Sequence, residues 1–287
     1  DLQNWRPISL LNVDYKIISK SMTNRMSKVH SSIINEDQTC SIPGRSILSN
    51  GHTLRDIVFL AERENLSAAL LSLDQLKAFD RVNWQFLFKT LTQFGFGQEF
   101  ISFVQTLYTD TKSCVKVNGH ISSAFSLERG VRQGCPLSPL LYVLVAEVFA
   151  ASVRRDKHIE GIIVNGTAFK ITQYADDTTL ILQGEKSIQS CFQLIHDYER
   201  ASGAKINKSK CEGLWLGNFK SRTDNPFNLT WGRKSLKILG DFHGPQNYEK
   251  ETWDPRITKF IKTLDLWSTR DLTLRGRAVV VNQLAAS

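Results

Sequence analysis

Apolar residues recur at a helical period along several stretches of the chain and at a strand period along others, with turn residues marking the boundaries. Over 13–29 the apolar positions Val13, Ile17, Met22, Met26 and Val29 fall near helical spacing, and Asn12 or Asp14 can cap. That predicts a helix with its apolar stripe turned inward, while Lys16, Lys20, Arg25 and Lys28 ride on it as a basic face. Further helices are predicted over 47–61, from just after residue 74 through 94 with Gly95 as a stop, and over 100–107. The run 137–153 is almost wholly apolar, but it is shorter than a membrane span of ~20 residues and carries Glu147 near its middle. It reads as a buried helix with Ser138 at the N-cap and Pro139 at the first helical position. Two later helices follow, one through Ile188, Cys191, Phe192, Ile195 and Tyr198 and closed by Gly203, the other through Trp253, Ile257, Phe260, Ile261, Leu264 and Trp267.

Strand signals lie between them. Asn118-Gly119 and Asn165-Gly166 each mark a hairpin turn. The run Leu70-Leu71-Ser72-Leu73 is a short strand that ends in Asp74, and alternating strands over 168–172 and 178–182 flank Tyr174-Ala175-Asp176-Asp177. A hairpin tip carrying two adjacent carboxylates is a solvated acidic turn or a metal site, because such a pair repels and raises its own pKa unless a cation neutralises it. Asp74, at the end of a separate strand, can join that tip. Three carboxylates from two strands can hold two divalent ions roughly 3.5–4 Å apart for phosphoryl transfer. Oxygen ligands and a phosphate substrate favour magnesium or manganese. On the Pro43-Gly44 turn, Arg45 can donate two hydrogen bonds to a phosphate. The polar stretch 217–228 reads as a linker.

Composition narrows the classes. Apolar residues make up 41% and charged residues 22% of 287 positions, as in ordinary globular proteins. Five scattered cysteines without a Cys-x-x-Cys pair argue against a disulfide framework or a zinc site and fit a reducing compartment, nucleus or cytoplasm alike. No signal or transit pattern opens the sequence. The net charge of +8 is uneven: residues 205–287 carry 15 basic and 8 acidic side chains, the first 204 carry 21 and 20. A basic C-terminal third points to a polyanion such as nucleic acid, or to a solvated helix face.

Between the two acidic stretches stands Arg129-Gly130-Val131-Arg132-Gln133-Gly134-Cys135-Pro136-Leu137-Ser138-Pro139. With it, from Trp5-Arg6-Pro7-Ile8-Ser9-Leu10 to Trp267, the chain resembles the reverse transcriptase domain of a non-LTR (LINE-type) retrotransposon. The resemblance implies an α+β right-hand polymerase fold. Fingers would occupy 1–68, and an antiparallel-sheet palm with interleaved fingers elements and the catalytic hairpin 69–216. A linker and primer-grip-like turn would follow over 217–245, and the start of a helical thumb over 246–287.

The same resemblance implies an RNA-directed DNA polymerase acting on an RNA template, a DNA primer and dNTPs, with no membrane partner. Asp74, Asp176 and Asp177 become its catalytic acids, joined by the Gln75 carbonyl in holding two Mg2+ ions, with Mn2+ as an alternative. Phe79 becomes a steric gate against a 2′-hydroxyl; the bare residue could equally be a core phenylalanine. Arg45, Gln133, Gly134 and Lys210 become nucleotide contacts, although Lys205 or Lys208 could replace Lys210. Tyr174, Leu239 and Gly240 would support the primer, and Asp80 would be structural. The sequence departs from the family at Ser41-Ile42, where many members have Gly-Phe, and at Leu76, often Glu. The chain opens inside a motif and stops inside a helical pattern, which predicts a piece of a larger polyprotein with an endonuclease. The alternative is a catalytically inactive nucleic-acid-binding relic of the same fold.

Overall fold

The structure, a computed structural model, describes residues 5–232, 234–245 and 248–285. Helix α1 (Val13–Ile33) buries Ser19, Thr23, Met26 and His30, whereas Val13 and Ile17 are 69% and 63% exposed. The expected stripe packs only in part: Met26 is buried and Met22 lies against the core, but Val13, Ile17 and Val29 stay outside. Ser19 and Thr23 donate their hydroxyls to carbonyls of the preceding turn, at 3.2 and 2.7 Å, so these small residues are buried without an unmet polar group. Helix α2 (Ile47–Arg63), capped by Ser46, leads into strand β1 (Ser67–Leu73). The single helix expected after residue 74 is two: α3 (Ala78–Arg81) and α4 (Trp84–Gln93). The break falls at Val82-Asn83, because the Val82 carbonyl accepts the Gly130 N–H and the Asn83 side chain caps α4 by accepting from Phe86 N–H.

Helix α5 (Gln98–Tyr108) is followed by a ribbon of short strands, β2 (Lys112–Ser113), β3 (Lys116–Val117), β4 (His120–Ile121) and β5 (Phe125–Ser126). Its tip is Asn118-Gly119, both at positive φ as a primed hairpin turn requires. Helix α6 (Ser138–Arg155) is buried nearly all round, and Leu137, not Ser138, occupies its cap position. After it come β6 (Ile162–Val164) and β7 (Thr167–Phe169), joined through Asn165-Gly166, then β8 (Ile171–Tyr174) and β9 (Asp177–Gln183). The expected strand over 168–172 is thus split at Lys170, whose ammonium donates to the Arg154 and Asp156 carbonyls. Helix α7 (Glu185–Ser202), ended by Gly203, is followed by β10 (Glu212–Gly217), β11 (Thr230–Gly232), β12 (Leu236–Ile238) and β13 (Asp241–His243). Helices α8 (Tyr248–Ser268) and α9 (Leu274–Val280) complete the described chain.

The main sheet has the order β11-β10-β1-β9-β8, antiparallel except for the β10–β11 pair. Both faces of β1 are covered, which is why its sequence is a continuous apolar run. Ala69, Leu71 and Leu73 face Phe149 and Val153 of α6 and Ile188, Cys191 and Ile195 of α7. Ala68 and Leu70 face Leu54, Ile57, Val58 and Ala61 of α2. A third cluster joins α1, α3, α4, α5 and α6.

Residues 217–228 are not a free linker. Lys220 pairs with Glu62, and Arg222 pairs with Glu185 and Asp224 while its guanidinium lies 4.4 Å from the Trp215 ring centre. The apolar residues of α8 are less buried than their spacing predicts: Trp253 is 56% and Ile257 51% exposed. The expected boundary at 245/246 runs into residues outside the described set. Among the described residues no helix is long and apolar enough to cross a membrane.

Candidate active site

The β8–β9 hairpin closes on the Tyr174–Asp177 pair, so its turn is Ala175-Asp176, with Ala175 in the left-handed region at φ 54°. Alanine adopts that region at a cost, and such strain persists only where the surroundings over-determine it. Strand β1 pairs with β9 in a register that sets Leu73 against Thr178. One step further along both strands, Asp74 comes to Asp177. The three acids of the sequence motif are thereby gathered from two elements a hundred residues apart.

Their electrostatics show the proximity. Burial and then the Asp74 charge raise the Asp176 carboxyl, while burial, Asp176 and Asp74 raise that of Asp177. Arg6 lowers both, which places its exposed guanidinium near the cluster. Among the described residues no three acidic, histidine or cysteine side chains close into a ready-made ion cage. The donor set is nonetheless all oxygen, its members repel one another, and among the described residues no cation hydrogen-bonds to Asp176 or Asp177. That chemistry suits a hard divalent cation that takes further oxygens from phosphate and water.

The segment after β1 is stitched to the loop 204–211. Asn207 N–H donates to the Asp74 carbonyl and Leu76 N–H to the Lys205 carbonyl, both at 2.8 Å. These bonds flank the Gln75–Ile206 bridge, so the Gln75 carbonyl is left outside that ladder. Asp74 N–H donates to the buried Cys211 sulfur at 3.3 Å. Lys210 precedes that cysteine with its side chain in solvent.

Phe79 is half-buried and stacks on Tyr142 with ring centres 4.7 Å apart and planes at 14°. The Tyr142 hydroxyl donates to Gln75 Oε1 at 3.2 Å, and burial together with Asp176 and Asp177 holds its pKa well above the ordinary tyrosine range. Gln133 donates from Nε2 to Asp80 at 3.2 Å, and its carbonyl accepts the Ser9 N–H at 2.8 Å. Gly134 is at φ 103°, and a Cβ there would sit 2.8 Å from the Ser9 carbonyl oxygen. Only glycine lets the two backbones approach so closely. Asp80 is accordingly a structural acid, raised by burial and partly lowered by Gln133, Lys77 and Arg6.

Two expected contacts lie elsewhere. Arg45 is a correction: its guanidinium donates to the carbonyls of Gln38 (2.8 Å), Ile34 (2.9 Å) and Ser31 (3.2 Å), and to that of Asn35. It closes the C-terminus of α1, where unmet carbonyls and the helix dipole favour a cation, and is thereby taken up by the fold. Leu239 and Gly240, both at positive φ, form the β12–β13 turn. Gly240 accepts from Arg256 of α8 at 3.1 Å, and Leu239 packs on the core beneath α2.

Arg6, Tyr142 and Cys211 were not singled out by sequence. Arg6 stood inside a quoted motif. Tyr142, a polar-tipped aromatic in an apolar helix, and Cys211, a lone thiol, had no signal of their own.

The family described as reverse transcriptase (RNA-dependent DNA polymerase) matches residues 1–241. The 149 kDa protein of transposon TX1 from Xenopus laevis is 37% identical over 100% of this chain and 22% of its own length. The Pol polyprotein of type-2 retrotransposable element R2DM from Drosophila melanogaster is 28% identical over 73% of this chain and 19% of its own length. The chain thus spans about a fifth of these relatives. The RNA-directed DNA polymerase of mobile element jockey from Drosophila funebris is 25% identical over 76% of the chain. Among solved structures, telomerase from Candida albicans superimposes with a TM-score of 0.54 at 12% identity, covering 93% of this chain and 45% of that one. Telomerase from Candida tropicalis gives 0.52 at 13%, covering 79% and 35%. At such identity these two speak for the fold alone, and the fold is the polymerase one. With the family pattern running through most of its length and the retrotransposon proteins aligned along it, the chain belongs to the reverse transcriptase family, as a domain of the non-LTR retrotransposon type.

Proposed function

We propose that this chain is the RNA-directed DNA polymerase of its element, extending a primer 3′-hydroxyl along an RNA template with dNTPs. The observation that carries the reading is the meeting of Asp74 with Asp176 and Asp177, with no cation among the described side chains bonded to the hairpin acids. Asp74 and Asp176 would hold two magnesium ions, or manganese, with Asp177 orienting one and the Gln75 carbonyl completing a site. Bound ions supply charge that activates the 3′-hydroxyl and neutralises the triphosphate and leaving pyrophosphate.

The chain's own residues supply position. Phe79, stacked on Tyr142, would be the bulky ring that excludes a 2′-hydroxyl. Gln133 and Gly134 form one wall of the nucleotide pocket. Arg6 faces the triphosphate in the place Arg45 vacates, and Lys210, on the loop bound to Asp74, delivers a proton to pyrophosphate. Tyr174, Leu239 and Gly240 support the primer, with the basic C-terminal third along the duplex. The whole polypeptide is proposed to be a longer polyprotein with an endonuclease, working in a reducing compartment.

The test is primer extension on an RNA template with magnesium, comparing wild type with Asp176→Asn. The variant should lose at least about 10³-fold in rate, as expected when charge stabilisation at a transferring phosphoryl group is removed. Wild type that binds primer–template but does not extend it would replace this reading with the inactive relic.

A further inference from the structure

The loop between α1 and α2 reaches the catalytic turn through Gln38. Its backbone runs beside β8 like a short parallel strand: Gln173 N–H donates to the Asp37 carbonyl at 2.8 Å, and Thr39 N–H donates to the Gln173 carbonyl at 3.1 Å. This sets the Gln38 side chain, with 0% exposure, against Ala175. Gln38 Oε1 accepts Ala175 N–H and Cys40 N–H, both at 3.0 Å, and Nε2 donates to the Ala175 carbonyl at 3.4 Å. One side chain therefore binds both backbone groups of the left-handed residue that precedes Asp176, as a strand partner would. The loop is itself pinned. Arg154 of α6 donates to both Asp37 carboxylate oxygens, at 3.1 and 2.9 Å, and pairs with the buried Glu147.

We propose that Gln38 is a positioning residue for the catalytic turn. It holds Ala175 in the left-handed conformation and so fixes where Asp176 presents its carboxylate, while Asp37, Arg154 and Glu147 hold Gln38 in place. The inference rests on the reading of Asp176 as a metal-holding acid. It needs an amide at position 38, because an isosteric apolar side chain fills the space without gripping the Ala175 peptide. A displacement of reacting groups by about 1 Å costs on the order of 10²-fold in rate.

The experiment compares wild type, Gln38→Met, Thr172→Val and Asp176→Asn. Thr172 is the control: its hydroxyl accepts from Asn50 at 2.6 Å, so the substitution loosens the same junction two residues before Tyr174 without touching Ala175. Four quantities are read: kcat and KM for dNTP in primer extension, hydrogen exchange of the Ala175 amide, Mn2+ binding by EPR titration, and the melting temperature. Gln38→Met should lower kcat about 100-fold with KM within about threefold of wild type. Its Ala175 amide should exchange about tenfold faster and its Mn2+ binding should weaken, the exchange matching the loss of one hydrogen bond. Thr172→Val should lower the melting temperature and leave the other readouts near wild type.

The proposal is overturned if Gln38→Met keeps kcat within about threefold of wild type, or if Thr172→Val loses kcat in proportion to its lost stability. An extending wild type and an inactive Asp176→Asn beside an unimpaired Gln38→Met would sink this proposal alone. An Asp176→Asn protein that extends like wild type defeats the polymerase site itself, and this inference with it.

Discussion

The acidic β8–β9 hairpin and the C-terminal helices are held in opposite ways. Strand β9 pairs with β1 on one side and β8 on the other, and the turn between β8 and β9 is gripped by Gln38. Asp74, just past β1, is laced to the loop 204–211, and the loop after α1 is anchored by the partly buried Arg154. Helix α8 fully buries only Thr252 among its described side chains, while Trp253, Ile257, Ile261 and Leu266 stand more than half exposed. Both regions have a clear apolar period in the sequence. The period reports the local conformation, and how firmly an element is held depends on what distant segments bring to it. A firmly held region can carry costs, here a left-handed alanine and mutually repelling carboxylates, that a loosely held one could not.

The sharpest way to break this comparison is to cut the arginine anchor. Arg154→Met leaves Asp37 and Glu147 without their counter-charge, and removing one partner of a buried ion pair costs about 3–5 kcal/mol. A guanidinium denaturation midpoint should fall accordingly. A loss below about 1 kcal/mol would mean that the hairpin's surroundings are no better held than α8.

A pH series refines the same side. His30 is buried in α1 with neither ring nitrogen partnered, and burial, aided by Arg45, lowers its pKa from 6.5 to about 4. The folded protein holds it neutral while the unfolded chain protonates it. Its contribution is therefore complete above pH 6.5 and is lost as pH falls toward 4, amounting to about 3 kcal/mol. His30→Leu should show a flatter decline of unfolding free energy through that window. Equal slopes in the two proteins would show that the histidine is solvated.

The smallest effect belongs to the open region. Ile257→Ala on α8 should change the unfolding free energy by no more than about 0.5 kcal/mol, since its side chain is 51% exposed. A loss of 2 kcal/mol or more in the same denaturation assay would mean that α8 is packed as firmly as the sheet.

Much of the architecture was legible beforehand because turns and periods are local. Asn118-Gly119 and Asn165-Gly166 gave their hairpins, Gly95 and Gly203 their helix ends, and the Asp-flanked strands their position in the sheet. The misreadings share one cause. The stripe on α1 packs through Met22 and Met26 only, and the rest of the buried face is supplied by Ser19 and Thr23, whose hydroxyls are satisfied within the helix. Arg45 is a plausible phosphate ligand from its turn, but the α1 carbonyls claim it first. A polar run such as 217–228 looks free until Glu62 and Glu185 are brought beside Lys220 and Arg222.

The sequence alone determined the chemistry on offer, namely three aspartates, a phenylalanine at gate spacing and a Gln-Gly turn, together with the elements that carry them. The tertiary structure alone decided which side chains serve those groups. Gln38 meets Ala175 across 137 residues and Tyr142 meets Gln75 across 67. Local periodicity encodes backbone conformation, which a short window of sequence fixes. Contacts over such separations are set by which surfaces pack together, and that is a property of the whole chain.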